Sequence, residues 1–329
     1  MTKTNLTLLG LLAVQVGWIV LSGMTSEEAV GFERTLVVAD MVAEDILAVD
    51  ITAAEESVRL ERAGADAPWT VASEDGWRGD GEKIDRALGE VLGLETADLI
   101  ATGEDHHVDL KVADADFERK LVLTTASGAK EVVFGTAAPG SGVHLRRGGE
   151  PEVYAVRDFS TWKLGTATNG WIDRTYLELP RDRISDVVIE TDQRYAFAHG
   201  EDGWTVAIGE AEPVPAVQEK VDSILGKLAR VTLSEVHGTA PPAAAEGEVR
   251  VTATVAAGED GPARTVSLRL VPRPADPAPE GDEPKEPERW FVRADTETHT
   301  VEVGRWAVRP LVEIEPSALV EDSEKPGQD

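Results

Sequence analysis

The chain has 329 residues, 42% of them hydrophobic, which is enough for two folded domains with apolar cores. Its 61 acidic residues outnumber its 32 lysines and arginines, and the net charge of −29 makes nucleic acid and anionic lipid headgroups poor partners. The lack of cysteine excludes disulfides, thiolate metal sites, cysteine nucleophiles and a lipid-modified cysteine.

The N-terminal part contains one long apolar run without a charge, residues 6–24. Its length is close to the roughly 20 residues that a helix needs to cross a bilayer. Lys3 precedes the run and two glutamates follow it, so the positive-inside rule places residues 1–5 in the cytoplasm and the rest outside. A cleaved signal peptide is the alternative, but there is no Ala-x-Ala site and Trp18 suits an interfacial anchor. We expect a single-pass inner-membrane protein whose bulk is periplasmic or extracellular.

A first folded module is predicted after an acidic stalk, residues 25–45, whose apolar residues we expect to pack against that module. An amphipathic helix is predicted at 83–92, because its apolar residues recur at helical spacing, and Asp80 suits its N-cap. The strands of this module are predicted at 46–52, 58–62, 69–72, 96–102, 120–124, 130–134, 143–146 and 153–157.

A second module of the same kind is predicted after a connector, residues 160–173, which carries Trp162 and Trp171. Its amphipathic helix begins near Pro215 and has apolar residues at the same spacing up to Leu228. Its strands are predicted at 184–189, 195–198, 204–208, 232–236, 249–255, 266–270, 290–293 and 300–303.

Two segments of the second half are predicted to lack fixed structure. Residues 272–287 are rich in proline and acid, and we expect a mobile loop there in place of a hairpin of the first module. Residues 316–329 are expected to form a disordered tail.

The two modules share sequence as well as pattern. The helix KIDRALGEVL at 83–92 returns as KVDSILGKL at 220–228, an offset of 137 residues. Trp-Thr-Val occurs at 69–71 and again at 204–206, an offset of 135 residues. Such agreement predicts a duplicated module.

A third match, between residues 150–157 and 286–293, has an offset of 136 residues. We therefore predict tandem domains at 46–175 and 184–315. The predicted fold class is α+β: two repeats of a mainly antiparallel β-sheet module with one amphipathic helix each, after an N-terminal transmembrane helix.

Each predicted helix has a glycine in its middle, Gly89 and Gly226. Glycine costs about 1 kcal/mol relative to alanine in a helix interior. Its presence in both copies suggests that the helix backbone lies close against a sheet at that point, and chance is the alternative.

This repeat behind an N-terminal anchor resembles the bacterial family of domain of unknown function 4340. The motifs that carry the resemblance extend over about residues 40 to 310 and keep the family's order. The resemblance implies membrane-tethered envelope proteins of unknown activity, often encoded beside exporter-type ABC transporter subunits. It supplies no catalytic residues. The carrying motifs are Ile46-x-x-Val49-Asp50-Ile51, Trp69-x-Val71, the helix with Lys83 and Leu88, Val133-Phe134-Gly135, Val153-Tyr154-Ala155-Val156 and Trp171-Ile172-Asp173-Arg174.

The densest set of potential metal ligands lies at 104–109, where His106, His107 and Asp109 are weak candidates for Zn²⁺ or Ni²⁺. Adjacent histidines on a strand point to opposite faces, so only one would join a given site. A solvated loop is the favoured interpretation, and no metal site or cofactor is predicted.

Other polar sets are also weak. Asp75, Asp80 and Glu82 lie in a Gly-rich loop that fails the EF-hand pattern, so helix entry is favoured over a Ca²⁺ site. Asp114 and Asp116 form a similarly weak pair. With 61 acidic residues, a glycosidase-type pair of carboxylates would arise by chance.

Ser141 and His144 suggest acyl transfer, but the nucleophile-elbow spacing is missing and a hairpin turn is favoured. Four aromatic residues are interpreted as core residues at equivalent repeat positions rather than a ligand-stacking platform: Trp69, Trp204, Tyr154 and Trp290.

The functional prediction is a non-enzymatic, membrane-anchored extracytoplasmic protein that serves as an accessory or scaffold component of an ABC-type transport complex. Its partners would be the membrane, through the N-terminal helix, and envelope proteins, but not nucleic acid. The alternatives are a glycan- or peptide-binding module with a site between the repeats and, more remotely, a metal-dependent hydrolase.

Overall fold

The computed structural model describes residues 34–258, 261–274 and 287–320. The predicted anchor at 6–24, the stalk up to residue 33, most of the predicted loop and residues 321–329 lie outside the described residues. Within the described ranges, no helix is long and apolar enough to cross a membrane.

Antiparallel strands dominate the described chain, with three α-helices, in agreement with the predicted α+β class. The helices are α1 (Gly81–Leu92), α2 (Gln218–Ala229) and α3 (Arg305–Val312). The first ten strands are β1 (Ile46–Ala53), β2 (Glu56–Glu61), β3 (Thr70–Val71), β4 (Trp77–Arg78), β5 (Asp98–Ala101), β6 (Arg119–Thr125), β7 (Gly128–Ala138), β8 (Gly142–Arg147), β9 (Val153–Val156) and β10 (Thr175–Glu178). The others are β11 (Ile184–Glu190), β12 (Arg194–Gly200), β13 (Gly203–Ile208), β14 (Val214–Pro215), β15 (Arg230–Thr232), β16 (Glu235–Gly238), β17 (Val249–Val255), β18 (Arg264–Pro272), β19 (Arg289–Ala294) and β20 (Thr300–Gly304).

The chain divides into two compact units that alternate along the sequence. Among the described residues, unit 1 comprises 34–56 together with 86–165, and unit 2 comprises 57–85 together with those from 166 to 320. The tandem domain boundaries proposed from sequence stay a prediction.

Unit 1 contains strands in the order β1-β6-β7-β8-β9-β5, and every neighbouring pair is antiparallel. The centre of β7 is buried on both faces, because Val133 and Phe134 are both fully buried and successive strand residues point to opposite sides. Val133 packs with Val112 and the loop around it, whereas the Phe134 ring stacks on Phe159 at 5.2 Å. The sheet is therefore covered on both sides at this point.

The end of the predicted stalk packs on unit 1, as expected. Val37 and Val38 are buried, and the Val37 amide donates to the Leu94 carbonyl at 2.8 Å. Arg147 holds the same segment by donating to the carbonyls of Leu36 and Val37.

Unit 2 contains a nine-stranded antiparallel sheet in the order β14-β13-β12-β11-β17-β18-β19-β20-β16. The alternation read from the sequence is confirmed, because Val249, Val251, Ala253 and Val255 of β17 are all buried. Helices α2 and α3 pack against each other. Unit 2 also holds the antiparallel pair β10-β15 and the short antiparallel run β2-β3-β4.

The first and second halves of the chain contain strands in corresponding orders. The strand order β1-β6-β7-β8-β9-β5 corresponds strand by strand to β11-β17-β18-β19-β20-β16. The order β2-β3-β4 corresponds in the same way to β12-β13-β14. Helices α1 and α2 follow β4 and β14. The helix match and the Trp-Thr-Val match thus fall on corresponding elements, as a tandem duplication would produce.

The third sequence match is wrong. Residues 150–157 contain β9 and residues 286–293 contain β19, but β9 corresponds to β20 in the strand order. Tyr154 and Trp290 therefore do not occupy equivalent positions. Alternating apolar residues are common to half-buried strands, so such a match is not specific.

Two other expectations need correction, and one helix was missed. The hairpin that residues 272–287 were expected to replace is present, because β18 and β19 pair from Leu268↔Ala294 to Pro272↔Trp290. The predicted tail is ordered at its start, where Pro316–Ala318 form a 3-10 helix and Leu319 is buried. Helix α3 was not predicted.

The explanation offered for the mid-helix glycines is also wrong. Gly89 and Gly226 are exposed, and a Cβ added at either would meet nothing within 4 Å. Neither helix backbone lies against a sheet at its glycine.

Candidate functional site

The predicted metal ligands do not converge. Glu104–His106 form a 3-10 helix and His107 continues it with helical backbone angles, so these histidines are not on a strand. His106 and Asp109 are exposed, whereas His107 is buried with Nε2 2.9 Å from the Pro151 carbonyl. Among the described residues, no group of three or more His, Cys, Asp and Glu could hold a metal ion.

The predicted carboxylate sets are taken up by local structure. Asp80 caps α1 by accepting from the Lys83 amide at 3.0 Å, as predicted. Asp116 pairs with Lys111 at 2.7 Å. Asp114 pairs with the buried Arg146, and the hydrogen bond from this guanidinium lowers the pKa of Asp114.

Ser141 and His144 each have a local structural role. Ser141 lies in the turn between β7 and β8 with a φ of 56°, as expected for a hairpin turn. His144 Nδ1 lies 3.0 Å from Thr136 Oγ1, and burial lowers the pKa of this imidazole. The imidazole is therefore engaged by a neighbouring strand.

A cavity of about 480 Å³ opens beside this hairpin, and we call it the bulge cavity. It is lined by residues 135–137 and 141–143, the segment 159–161 and Glu118. The register of β7 against β8 shifts between Phe134 and Ala137, which is a β-bulge, and bulges often re-aim side chains next to functional sites.

Two glycines shape the walls of the bulge cavity. A Cβ at Gly135 would lie 2.0 Å from the Leu110 carbonyl oxygen, and one at Gly142 would lie 1.9 Å from the Val156 carbonyl oxygen. Backbone therefore approaches the hairpin more closely than any side chain would permit.

The chemistry of the bulge cavity is mixed. Val143 and Phe159 are buried and give it an apolar floor. Ser141, Ser160 and Thr161 contribute hydroxyls, none of which bonds another side chain or backbone group that the structure describes. The exposed Glu118 contributes a carboxylate.

Trp162 follows the lining residues directly and is 75% exposed. It lies on the 3-10 helix Thr161–Lys163, between the buried Phe159 and Leu164. Lys163 fixes the same turn through a 2.8 Å ion pair with Glu90. From the sequence, Trp162 could only be placed in the connector, because the spacing of apolar residues does not show which tryptophan the fold leaves exposed.

Unit 2 contains a buried aromatic cluster whose polar atoms bond to backbone. The Tyr176 hydroxyl accepts from the Ala294 amide at 2.8 Å and donates to the His299 carbonyl at 2.9 Å. The Tyr176 ring stacks on Trp77 at 5.9 Å. Burial raises the pKa of Tyr176 to about 12. This cluster joins strands and loops within unit 2.

A second buried polar group in unit 2 is Glu302 on β20, which pairs with the guanidinium groups of Arg273 and Arg289. Both arginines flank the connection between β18 and β19. The carboxylate therefore fixes the two ends of that connection.

Comparison with protein-family models matches residues 69–248 to a family described as Domain of unknown function (DUF4340). The matched residues lie within the range over which the sequence motifs resembled this family. No curated protein and no solved structure matches the chain.

Proposed function

The chain belongs to the DUF4340 family, whose model covers more than half of it, and we propose that it is a non-enzymatic, membrane-anchored extracytoplasmic protein that binds other proteins. The partners proposed are subunits of an ABC-type membrane transport complex, as the family resemblance implies. The anchor proposed is the apolar run at residues 6–24.

The observation that carries this proposal is the exposed indole of Trp162. Its 3-10 helix is fixed on both sides by buried residues, so the side chain is presented on an ordered support. Covering most of an indole removes on the order of 150–200 Å² of largely apolar surface, worth roughly 4 kcal/mol at about 25 cal/mol/Å². Tryptophan is also among the residues most enriched at the energetic centres of protein interfaces.

The polar side chains considered for catalysis support the same conclusion. His107, His144 and Asp114 are each held in a hydrogen bond to a neighbouring element of unit 1. Such bonds fix side chains in the fold. A protein-binding role does not need these side chains, because it uses residues that are exposed on the surface.

Co-purification tests the proposal. Full-length protein is isolated from native membranes after mild cross-linking, and its partners are identified by mass spectrometry. We expect transport-complex subunits, and we expect Trp162→Ala to reduce their recovery by about tenfold or more, since a truncated hot spot costs about 2 kcal/mol or more.

Trp306→Ala is the matched control, because Trp306 is 74% exposed, lies in unit 2 and has Arg309 over its ring at 5.0 Å. It should leave recovery unchanged. Neither substitution should alter stability by more than about 0.5 kcal/mol, since both side chains are on the surface. Protein that elutes alone, or equal losses with both variants, would refute the proposal.

A further inference from the structure

We propose that the bulge cavity receives a long cationic side chain, lysine or arginine, from the partner that covers Trp162. This inference rests on the proposed function and adds to it the chemistry of the partner. The partner would present a basic residue next to the surface that contacts the indole.

The shape and lining of the cavity fit such a side chain. The buried Phe159 and Val143 form an apolar floor on which an aliphatic stem can lie. The Glu118 carboxylate and the hydroxyls at 141 and 160 provide acceptors for a charged head group. A volume of about 480 Å³ lies within the range of small ligand sites, so the side chain can enter with water.

Glu118 is distinguished from neighbouring carboxylates by its lack of a salt bridge with any residue that the structure describes. Asp116 is paired with Lys111, Asp114 with Arg146, and Glu90 with Lys163. The charges of Arg119 and Lys111 act on Glu118 through space, without forming an ion pair with it at contact distance. An incoming cation would therefore meet a carboxylate that has no described ion-pair partner at contact distance and that lines the cavity beside apolar residues.

Charge and position support the same occupant. The chain carries a net charge of −29, which attracts basic partners and steers them during encounter. Trp162 follows the lining residue Thr161 directly, so a partner group over the indole is within a short reach of the cavity. Arginine and lysine also bind favourably over indole faces.

The test uses full-length protein labelled with ¹⁵N and two peptides, Ac-Gly-Arg-Gly-NH₂ and its neutral citrulline analogue. We expect the arginine peptide to shift the amide resonances of Ser160 and Thr161 saturably, and the citrulline peptide to bind at least about tenfold more weakly. Glu118→Gln should weaken arginine binding by a similar factor, because it removes one charge-assisted hydrogen bond.

Glu104→Gln is the control, because Glu104 is another exposed carboxylate of unit 1 and does not line the cavity. Equal binding of both peptides, no shift at 160–161, or a saturable shift with neutral chitotriose would overturn the inference. If wild-type protein co-purifies without transport-complex subunits, the proposed function is overturned instead, so the two failures are distinguishable. An unchanged urea midpoint for Glu118→Gln shows that the variant is folded.

Discussion

Replacing Gly89 or Gly226 by alanine should stabilise the protein. Both residues lie inside regular helices, α1 and α2, and a Cβ at either position would meet nothing within 4 Å. No packing cost therefore opposes the gain in helix propensity, which is about 0.8–1.0 kcal/mol for alanine over glycine. Part of this gain comes from the reduced conformational freedom of the unfolded chain.

The free energy of unfolding is measured by urea titration, followed by circular dichroism. Each substitution should raise it by up to about 1 kcal/mol, and the pair by about twice that, because the residues lie in different helices. In thermal unfolding this corresponds to roughly 2–4 °C per substitution for a cooperative unit of about 150–250 residues.

Gly135→Ala and Gly142→Ala are the matched controls. Their added methyl groups would lie 2.0 Å and 1.9 Å from carbonyl oxygens, so we expect losses of about 1–3 kcal/mol or more. If alanine at 89 and 226 destabilises the protein as the controls do, the helix backbones must lie against other atoms. That result would refute the claim that both helix glycines face open space.

Two further predictions concern the interior of unit 2. Tyr176 has a pKa of about 12 in the folded protein, against an ordinary 10 in the unfolded chain. Its contribution to stability is therefore complete below pH 10 and falls by roughly 2–3 kcal/mol as the pH rises to 12. Tyr176→Phe should abolish this alkaline loss in urea titrations, yet cost about 1–3 kcal/mol at pH 7, because the Ala294 amide and the His299 carbonyl lose their partner; an unchanged alkaline profile would contradict this. Arg273→Ala and Arg289→Ala should each lower the free energy of unfolding only slightly, because the other arginine still pairs with Glu302. The double variant leaves a buried carboxylate unpaired and should lower the free energy of unfolding by about 3–5 kcal/mol. Additive values in a double-mutant cycle would show that Glu302 needs neither arginine.

Much of the fold was predictable because buried strands and helices leave regular patterns. The alternation in β17 and the apolar spacing of α2 both correspond to buried side chains. The Asp80 cap was also predictable, since it depends on residues three positions apart. These features are local or periodic, and a single sequence carries them fully.

The errors have physical causes as well. Helix α3 was missed because it is only eight residues long and Pro310 lies inside it, and only Val308 and Leu311 of its residues are buried. The pairing of β9 with β19 as repeats failed because the β18–β19 connection is longer than the β7–β8 turn, which changes the offset beyond it. One constant offset cannot describe a repeat with an insertion.

The bulge cavity could not be predicted, because its parts come from distant stretches of unit 1. A bulge in β7, the turn at Ser141 and the segment after Phe159 are brought together only by the fold. None of these stretches contains a spacing typical of a known site. Exposure at Trp162 likewise depends on which neighbours the fold supplies.

The corresponding strand orders also show where the two modules differ in structure. The connection after β7 is a short turn that lines the bulge cavity. The connection after β18 extends from 273 to 288, and the arginines at its two ends form ion pairs with Glu302. Connections tolerate change because they lie outside the ladder of backbone hydrogen bonds, and binding groups collect there for the same reason. The strand orders therefore agree between the modules, whereas this connection differs between them in length and in the residues that it brings together.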